Sequence, residues 1–451
     1  FYYYFKDNHF LFSSELKSML IYKEIKREIN QESLSEYFTY RYTLAENTIV
    51  KDIKKLKPGH YLIYENNEIR IRPYWNLKKK DIKKSNYIKD YYQLHTNSVK
   101  IRCQTDLNVG LMISGGIDSS SLLYQLDKFK DNINTYTLGF EDYAHNEFKD
   151  AKIVSDHFFT NHKEITINEK ALKYLPKVIW HMDEPIADPT SIANYSIAKV
   201  ASRDTKILFS GEGADESLMG YEQYKLMNLK KIHDKFFMNE LTKLSKLITP
   251  NEPFFYKLDE FLKTRNPHES YNSLISIFGT KEKQMLLKQK VDSNYILHKI
   301  KNFFIYKDLD QSMNNHDLQT FLPDNLLAKV DKTTMAHSIE GRVPFCDHRL
   351  IEYSFSLPKK MKLRLGHDKY ILRKSMNDCL PKFVTNKKKK RFAIPTDVWF
   401  EKGFREYSQN LFEQKKDIVS NFFKRKYLDK LLDKNKMLSH NLLKLHAWTK
   451  M

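Results

Sequence analysis

The residues of this chain best suited to chemistry are Ser114-Gly-Gly-Ile-Asp118-Ser-Ser120. They stand between an apolar run, Val109-Gly-Leu-Met-Ile113, and a segment in which Leu122, Leu123 and Leu126 share one helical face. A strand, a glycine loop and a helix start in that order make a cradle for an anion. Gly115 and Gly116 let the backbone approach a ligand closely, the helix amino terminus aims N–H groups at it, and Ser114, Ser119 and Ser120 add hydroxyl donors. The ligand implied is pyrophosphate. No G-K-[ST] is present, so the loop is not of the Walker type and brings no lysine to the β and γ phosphates. A carboxylate beside phosphates would repel them, so Asp118 implies a bridging Mg²⁺. The plain alternative is a Gly-Gly turn capped by serine.

A second glycine-bearing loop, Ser210-Gly-Glu212-Gly-Ala-Asp215-Glu216, directly follows the strand expected at 206–209 and should open at the same sheet edge. Asp215 is the candidate for a second metal ligand, and Glu212 for accepting a proton or orienting a nucleophile. Gly211 and Gly213 join Gly115 and Gly116 as expected backbone contacts to the pyrophosphate. Standing alone, this loop would read as a solvated acidic turn. Facing the first loop, it reads as half of a site.

The elements that must position these loops alternate. Strands are expected at 109–113, 135–140, 162–167 and 206–209, with helices at 119–129, through Ala151, Val154 and Phe158, and at 192–202. This pattern predicts an α/β fold with a parallel sheet that binds ligands at the carboxyl ends of its strands. Residues 225–330 carry helical signals, as in FFYKLDEFLK and YNSLISIF, and predict a helical continuation beside the sheet. Residues 1–75 differ: short alternating runs with turns at Asp7-Asn8, Pro58-Gly59 and Asn66-Asn67 predict hairpins, with one amphipathic helix at 31–40. The lysine-rich stretch 77–86 separates the units, giving domains at 1–76 and 87–451.

SGGIDSS resembles the pyrophosphate loop of ATP pyrophosphatases. Four further segments narrow the resemblance: Asp183-Glu-Pro-Ile-Ala-Asp188-Pro; SGEGADE with Gly220-Tyr221; Asp331 through Arg342 to Asp347; and Lys369-Tyr-Ile-Leu-Arg373. In this order, over about residues 105–400, they resemble the asparagine synthetase family. The resemblance implies an enzyme that adenylates a carboxylate with ATP, releases pyrophosphate and passes ammonia to the activated carbon. It implies Mg²⁺ on the ATP phosphates at Asp118 and Asp215. Lys369 would stabilise charge at the α-phosphate, as a compact point charge can, and Glu212 would take a proton from the attacking ammonia. Relatives that close β-lactam rings have Tyr at this position, so Glu212 favours external ammonia. Asp183, Glu184 and Arg342 are candidates for substrate binding, with Glu340 an equally good ion-pair partner for Arg342. Cys346 stands where Leu is common and reads as a small buried hydrophobe. Phe392 follows Arg391 where the family usually has Gly.

Residues 1–75 resemble the latter part of the family's glutaminase domain, an Ntn-hydrolase α+β fold whose first residue is a cysteine nucleophile. Here residue 1 is Phe, and the earliest cysteine is Cys103. The expectation is that this polypeptide takes ammonia directly, or glutamine through an upstream or separate glutaminase segment, and that its half-sandwich leaves a sheet edge and face open. Aspartate is the expected acceptor; a sugar uronate or peptide carboxylate keeps the same chemistry. Formal charge is +20, and most of the basic excess, including Lys387 to Arg391, reads as solvated surface. A tRNA-modifying enzyme would share the first loop and suit that charge, but no RNA-binding motif accompanies it. No window approaches eighteen apolar residues, no secretory signal is seen, and three distant cysteines form no C-x-x-C pair. A cytoplasmic enzyme without membrane or nucleic-acid partners is expected, a homodimer being compatible.

Overall fold

The computed structural model describes residues 1–388 apart from 83–85, 142, 144–145, 233–260, 263, 265, 290–291 and 365–366, together with 399, 422–424, 444–445 and 448–449. Most of FFYKLDEFLK and all of Arg391 and Phe392 lie outside these residues.

The chain opens with strands β1 (Tyr2–Lys6) and β2 (His9–Ser13), joined through Asp7 and Asn8 at φ 50° and 61°. Two consecutive left-handed residues suit the twist of a tight hairpin, and Asp and Asn tolerate them. β3 (Ile53–Lys55) pairs on the other side of β1, giving an antiparallel order β2-β1-β3. A separate hairpin, β4 (His60–Glu65) with β5 (Glu68–Pro73), turns through Asn66 and Asn67 at φ 51° and 59°. The helix Gln31–Tyr40 starts at Asn30, whose side chain accepts from the N–H groups of Glu32 and Ser33.

The larger body is built on a parallel sheet of order β10-β9-β6-β7-β8. Its strands are β6 (Val109–Met112), β7 (Asn134–Phe140), β8 (Asn161–Ile167), β9 (Ile207–Phe209) and β10 (Glu340–Arg342). The order runs β6, β7, β8 in one direction and places β9 on the opposite side of β6. A topological switch therefore lies between β6 and β9, where the two connections part and leave a crevice at the carboxyl ends. β10 was not anticipated, because Glu-Gly-Arg is short, polar and interrupted by glycine. A Cβ at position 341 would be a tight fit, 3.0 Å from Val330 Cγ1 and 3.2 Å from Thr334 Oγ1.

Alternate residues of the sheet feed two cores. Val109, Leu111, Ile207 and Phe209 pack with the helix residues Leu122, Leu123 and Leu126, whereas Leu208, Tyr136 and Leu138 face a second cluster. That second cluster does not stop at the larger body. It runs on into Tyr2, Tyr4, Leu34, Tyr37, Phe38 and Ile53. Residues 1–75 thus share a core with the α/β body. On the outer side of the first sheet Phe1, Phe5 and Phe12 are exposed, Tyr64 of the second hairpin stacks on Phe10, and β2 is an edge strand among the described residues. Among the described residues, no helix is long and apolar enough to cross a membrane.

Three lysines are buried against neutral partners. Lys283 Nζ donates to Ser35 Oγ at 3.1 Å and Thr39 Oγ1 at 2.6 Å; Lys362 donates to Asn314 Oδ1 at 3.0 Å and the Phe355 carbonyl at 3.1 Å; Lys444 donates to Ser191 Oγ and the carbonyls of Ile186 and Asp188. Burial lowers them to about 8, about 7 and about 7 respectively. Above these values the folded chain has released protons that the unfolded chain, with ordinary lysines, still holds, so stability rises with pH. Each group adds up to about 1.4 kcal/mol per pH unit. The melting temperature is expected to climb by a few degrees between pH 7 and 9 in calorimetry, and Lys362→Met should flatten the climb. A melting temperature that falls over this range would contradict the assignment.

Candidate active site

The β6 and β9 loops meet. After β6, Gly115 takes φ +65°, and a Cβ there would lie 2.5 Å from the Asp150 carbonyl carbon. Only glycine meets both demands. Ser119 Oγ accepts from the Ser114 N–H at 3.2 Å, and Ser114 Oγ accepts from the Gly116 N–H at 3.3 Å, so the hydroxyls shape the loop itself. The helix Ile117–Leu126 begins at Gly116. After β9, Gly211 passes so near the first loop that a Cβ would be 3.3 Å from Asp118 Cβ. Gly213, at φ +94°, turns the chain into the helix Ala214–Leu218, whose Glu216 carboxylate accepts from the Gly213 N–H at 3.0 Å.

Lys369 joins the two loops electrically. It is almost wholly buried at the start of the helix Tyr370–Ser375, and its ammonium contacts both the Asp118 carboxylate and Asp215 Oδ1, the latter at 2.7 Å. Burial alone would lower its pKa, but Asp118 and Asp215 outweigh burial and hold it well above the usual lysine value. Gly220 makes this reach available, because a Cβ there would sit 2.5 Å from Lys369 Cε and closer still to Asp215. Arg373 braces the segment by donating to the Asp368 carboxylate at 2.7 Å and to the carbonyls of Thr385 and Lys387, each at 2.9 Å.

These residues line one cleft of about 1120 Å³. Ser114, Gly116, Asp118 and Ser119 form its wall on the β6 side, Gly211, Glu212 and Asp215 on the β9 side, and Lys369 between them. Gly115, Ser120 and Gly213 do not line the cleft, and the Ser120 N–H donates to the Gly116 carbonyl at 3.0 Å. The Glu212 carboxylate accepts from Ser210 Oγ, and Cys346 Sγ lies 3.6 Å from the Glu212 carbonyl. Burial, then the charges of Glu216 and Glu212, push the Cys346 thiol far up, which favours the protonated form. Two carboxylates, a shared ammonium and a backbone cradle in one cleft can hold and polarise a polyphosphate.

Residues 90–450 match the family model described as Asparagine synthase, and residues 1–75 that described as Glutamine amidotransferase domain. The chain belongs to the asparagine synthase family. It is 29% identical over 413 residues to the glutamine-hydrolyzing asparagine synthetase 1 of Bacillus subtilis (strain 168), covering 89% of this chain and 65% of that one. It is 25% identical over 483 residues to asparagine synthetase 3 of the same organism, covering 99% and 74%. The chain thus spans about 65% of the length of the first of these relatives.

Other candidates sit elsewhere in this asparagine synthase-family body. Asp183 is fully buried and accepts from the backbone N–H groups of Leu16 and Lys17, the latter at 2.9 Å. Glu184 accepts from Tyr2 Oη at 3.1 Å and Thr43 Oγ1 at 2.7 Å. Both carboxylates tie the first sheet to the body and neither lines the cleft. Arg342 likewise faces away, with Nε donating to Glu340 Oε1 at 2.9 Å. Conversely, Lys387 was read as solvated surface, yet it lines the cleft, pairs with Asp150 at 2.7 Å and donates to the Gly115 carbonyl at 3.3 Å. No signal within the lysine run marks it out. Arg41 was missed in the same way, because it reaches the cleft from residues 1–75.

Proposed function

We propose that this chain carries the synthetase activity of an ATP-dependent amidotransferase: it adenylates a carboxylate, aspartate being the leading acceptor, releases pyrophosphate, and transfers ammonia to give an amide and AMP. The observation that carries the reading is the meeting of Asp118, Asp215 and Lys369 beside the Ser114–Ser120 loop, with Glu212 in the same wall. The carboxylate pair also fits Mg²⁺. Two hard oxygen donors already flank one cation, and among the described residues no group of three or more His, Cys, Asp or Glu could cage a metal alone. That suits an ion that arrives on phosphate oxygens and keeps its waters. Bound there by Asp118 and Asp215, it would offset the charge of the departing pyrophosphate.

The chain's own residues do the rest. Ser114, Gly116 and Ser119 seat the phosphates at the helix start. Lys369 keeps its proton and presents a fixed positive charge where negative charge grows at the α-phosphate and the acceptor carbonyl. Glu212 takes the proton that an ammonium-like adduct must lose to become an amide. The relatives' names support ammonia drawn from glutamine, which would need a nucleophile supplied by an upstream or separate segment. Three cysteines that remain free favour a reducing cytoplasm.

Pyrophosphate release tests the reading. With ATP, Mg²⁺ and ammonium chloride, aspartate is expected to support release with asparagine formed, against a panel of uronates and peptides. Release with another carboxylate alone would move the acceptor, and no release with any of them would defeat the reading.

A further inference from the structure

The first glycine loop brings no lysine of its own, yet one reaches it from a distant stretch of the chain. Lys387 follows the helix Lys382–Asn386, 272 residues on from Gly115. Its Nζ lies 2.7 Å from Asp150 Oδ2 and donates to the Gly115 carbonyl at 3.3 Å. An ammonium has three protons to donate. Asp150 and Gly115 are its two partners among the described residues, which leaves one proton to spare. Lys387 lines the cleft, whereas Asp150 does not, so the positive end of this pair is the one presented to a ligand.

The ammonium is held from two sides. Asp150 stands in the first turn of the helix Phe148–His157, and the loop lies directly on it: a Cβ on Gly115 would be 2.7 Å from Asp150 Cβ. On the other side the Arg373 guanidinium donates both to the Lys387 carbonyl and to the carboxylate of Asp368, the neighbour of Lys369. One side chain thus ties the two lysine-bearing stretches together. The two ammoniums meet the loop at different points, Lys369 at Asp118 and Lys387 at Gly115, and bracket the helix start between them. They also differ in what they balance. Lys369 is shared by two carboxylates that line the cleft, so that set is net negative before any phosphate arrives, while the single carboxylate on Lys387 stays off the wall.

We propose that Lys387 holds the β- and γ-phosphates of the nucleotide, and then the leaving pyrophosphate, doing from outside the loop what a Walker lysine does from within it, with Asp150 as the positioning residue that aims it. This rests on the ligase reading above and adds a residue to it. Lys369 then serves the α-phosphate, where the bond breaks, and Lys387 serves the group that departs.

Equilibrium dialysis of labelled inorganic pyrophosphate with Mg²⁺ tests this without relying on turnover. Lys387→Met should weaken pyrophosphate binding by roughly 10- to 100-fold, the worth of one hydrogen bond to a charged group. AMP, which ends at the α-phosphate, should bind as it does to the wild type. Lys387→Arg should recover most of the affinity, because a guanidinium also suits phosphate oxygens. Asp150→Asn keeps the lysine but no longer aims it, and should give a smaller loss of the same selectivity; it decides the matter if the melting temperature shows that Lys387→Met does not fold. Pyrophosphate bound equally by wild type and Lys387→Met, or not bound by the wild type, overturns the proposal. A parallel loss of AMP overturns it too, since Lys387 would then be a prop of the loop. Pyrophosphate release measured alongside separates the two claims. Release from wild type with normal pyrophosphate binding in Lys387→Met sinks this assignment and spares the ligase reading, while Lys387-dependent binding without release from any acceptor does the reverse.

Discussion

Lys369→Met is expected to slow acceptor-dependent pyrophosphate release by about 10³-fold, the scale of losing one preorganised charge partner of a transition state. The fall should appear in kcat, because the ammonium matters most where charge develops. Removing it also leaves Asp118 and Asp215, formerly joined by one cation, facing each other with side chains 24% and 19% exposed. Breaking a buried charge set by deleting one partner costs roughly 3–5 kcal/mol. The melting temperature should therefore drop, and Mg²⁺ should restore part of it by supplying the missing positive charge. Lys369→Arg should rescue poorly. The space above the lysine stem is so narrow that even a Cβ on Gly220 would fall 2.5 Å from Cε, which leaves no room for a planar fork. Near-normal release in Lys369→Met, measured with saturating ATP and acceptor, would remove the lysine from the chemistry.

Glu212→Gln should break the reaction at a different step. Gln keeps the size of the side chain and its hydrogen bond with Ser210 Oγ but cannot take a proton from an attacking amine. Adenylation, followed as exchange of labelled pyrophosphate into ATP, is expected to continue within about threefold, whereas amide formation from ammonium falls by about 10²- to 10⁴-fold, the usual worth of a general base. The two variants thus give opposite patterns, one losing both half-reactions and the other only the second. Equal loss of exchange and amide formation in Glu212→Gln would make Glu212 a scaffold of the loop. Because Ser210 holds its carboxylate, Ser210→Ala offers a milder check on the same proton transfer.

How much of this was legible in the sequence depended on whether the deciding interaction was local. The hairpin turns at Asp7-Asn8 and Asn66-Asn67, the helix Gln31–Tyr40 and the parallel strands β6 to β9 follow from turn chemistry and periodicity, both properties of short windows. The two glycine loops were equally readable, since Gly115 and Gly213 mark conformations that few other residues accept. What stayed hidden depends on distance. Nothing near Asp183 or Glu184 reveals that these carboxylates meet the backbone of Leu16 and Lys17 and the hydroxyl of Tyr2, more than a hundred residues away. Lys387 looks like its neighbours in a basic run, and only the fold brings it to Asp150. Arg41 belongs to a hairpin-rich unit that composition separates from the α/β body, so its place on the cleft wall could not be read from its surroundings.

The loop from Asp183 to Ser191 touches the first sheet at one end and the cleft at the other. Linkage makes that contact reciprocal: if filling the cleft at Asp188 favours one arrangement of the loop, a partner on the exposed aromatic residues of the first sheet that favours the same arrangement must tighten binding in the cleft by an equal factor. The two surfaces then behave as one instrument with a single string, and plucking either end sounds the other.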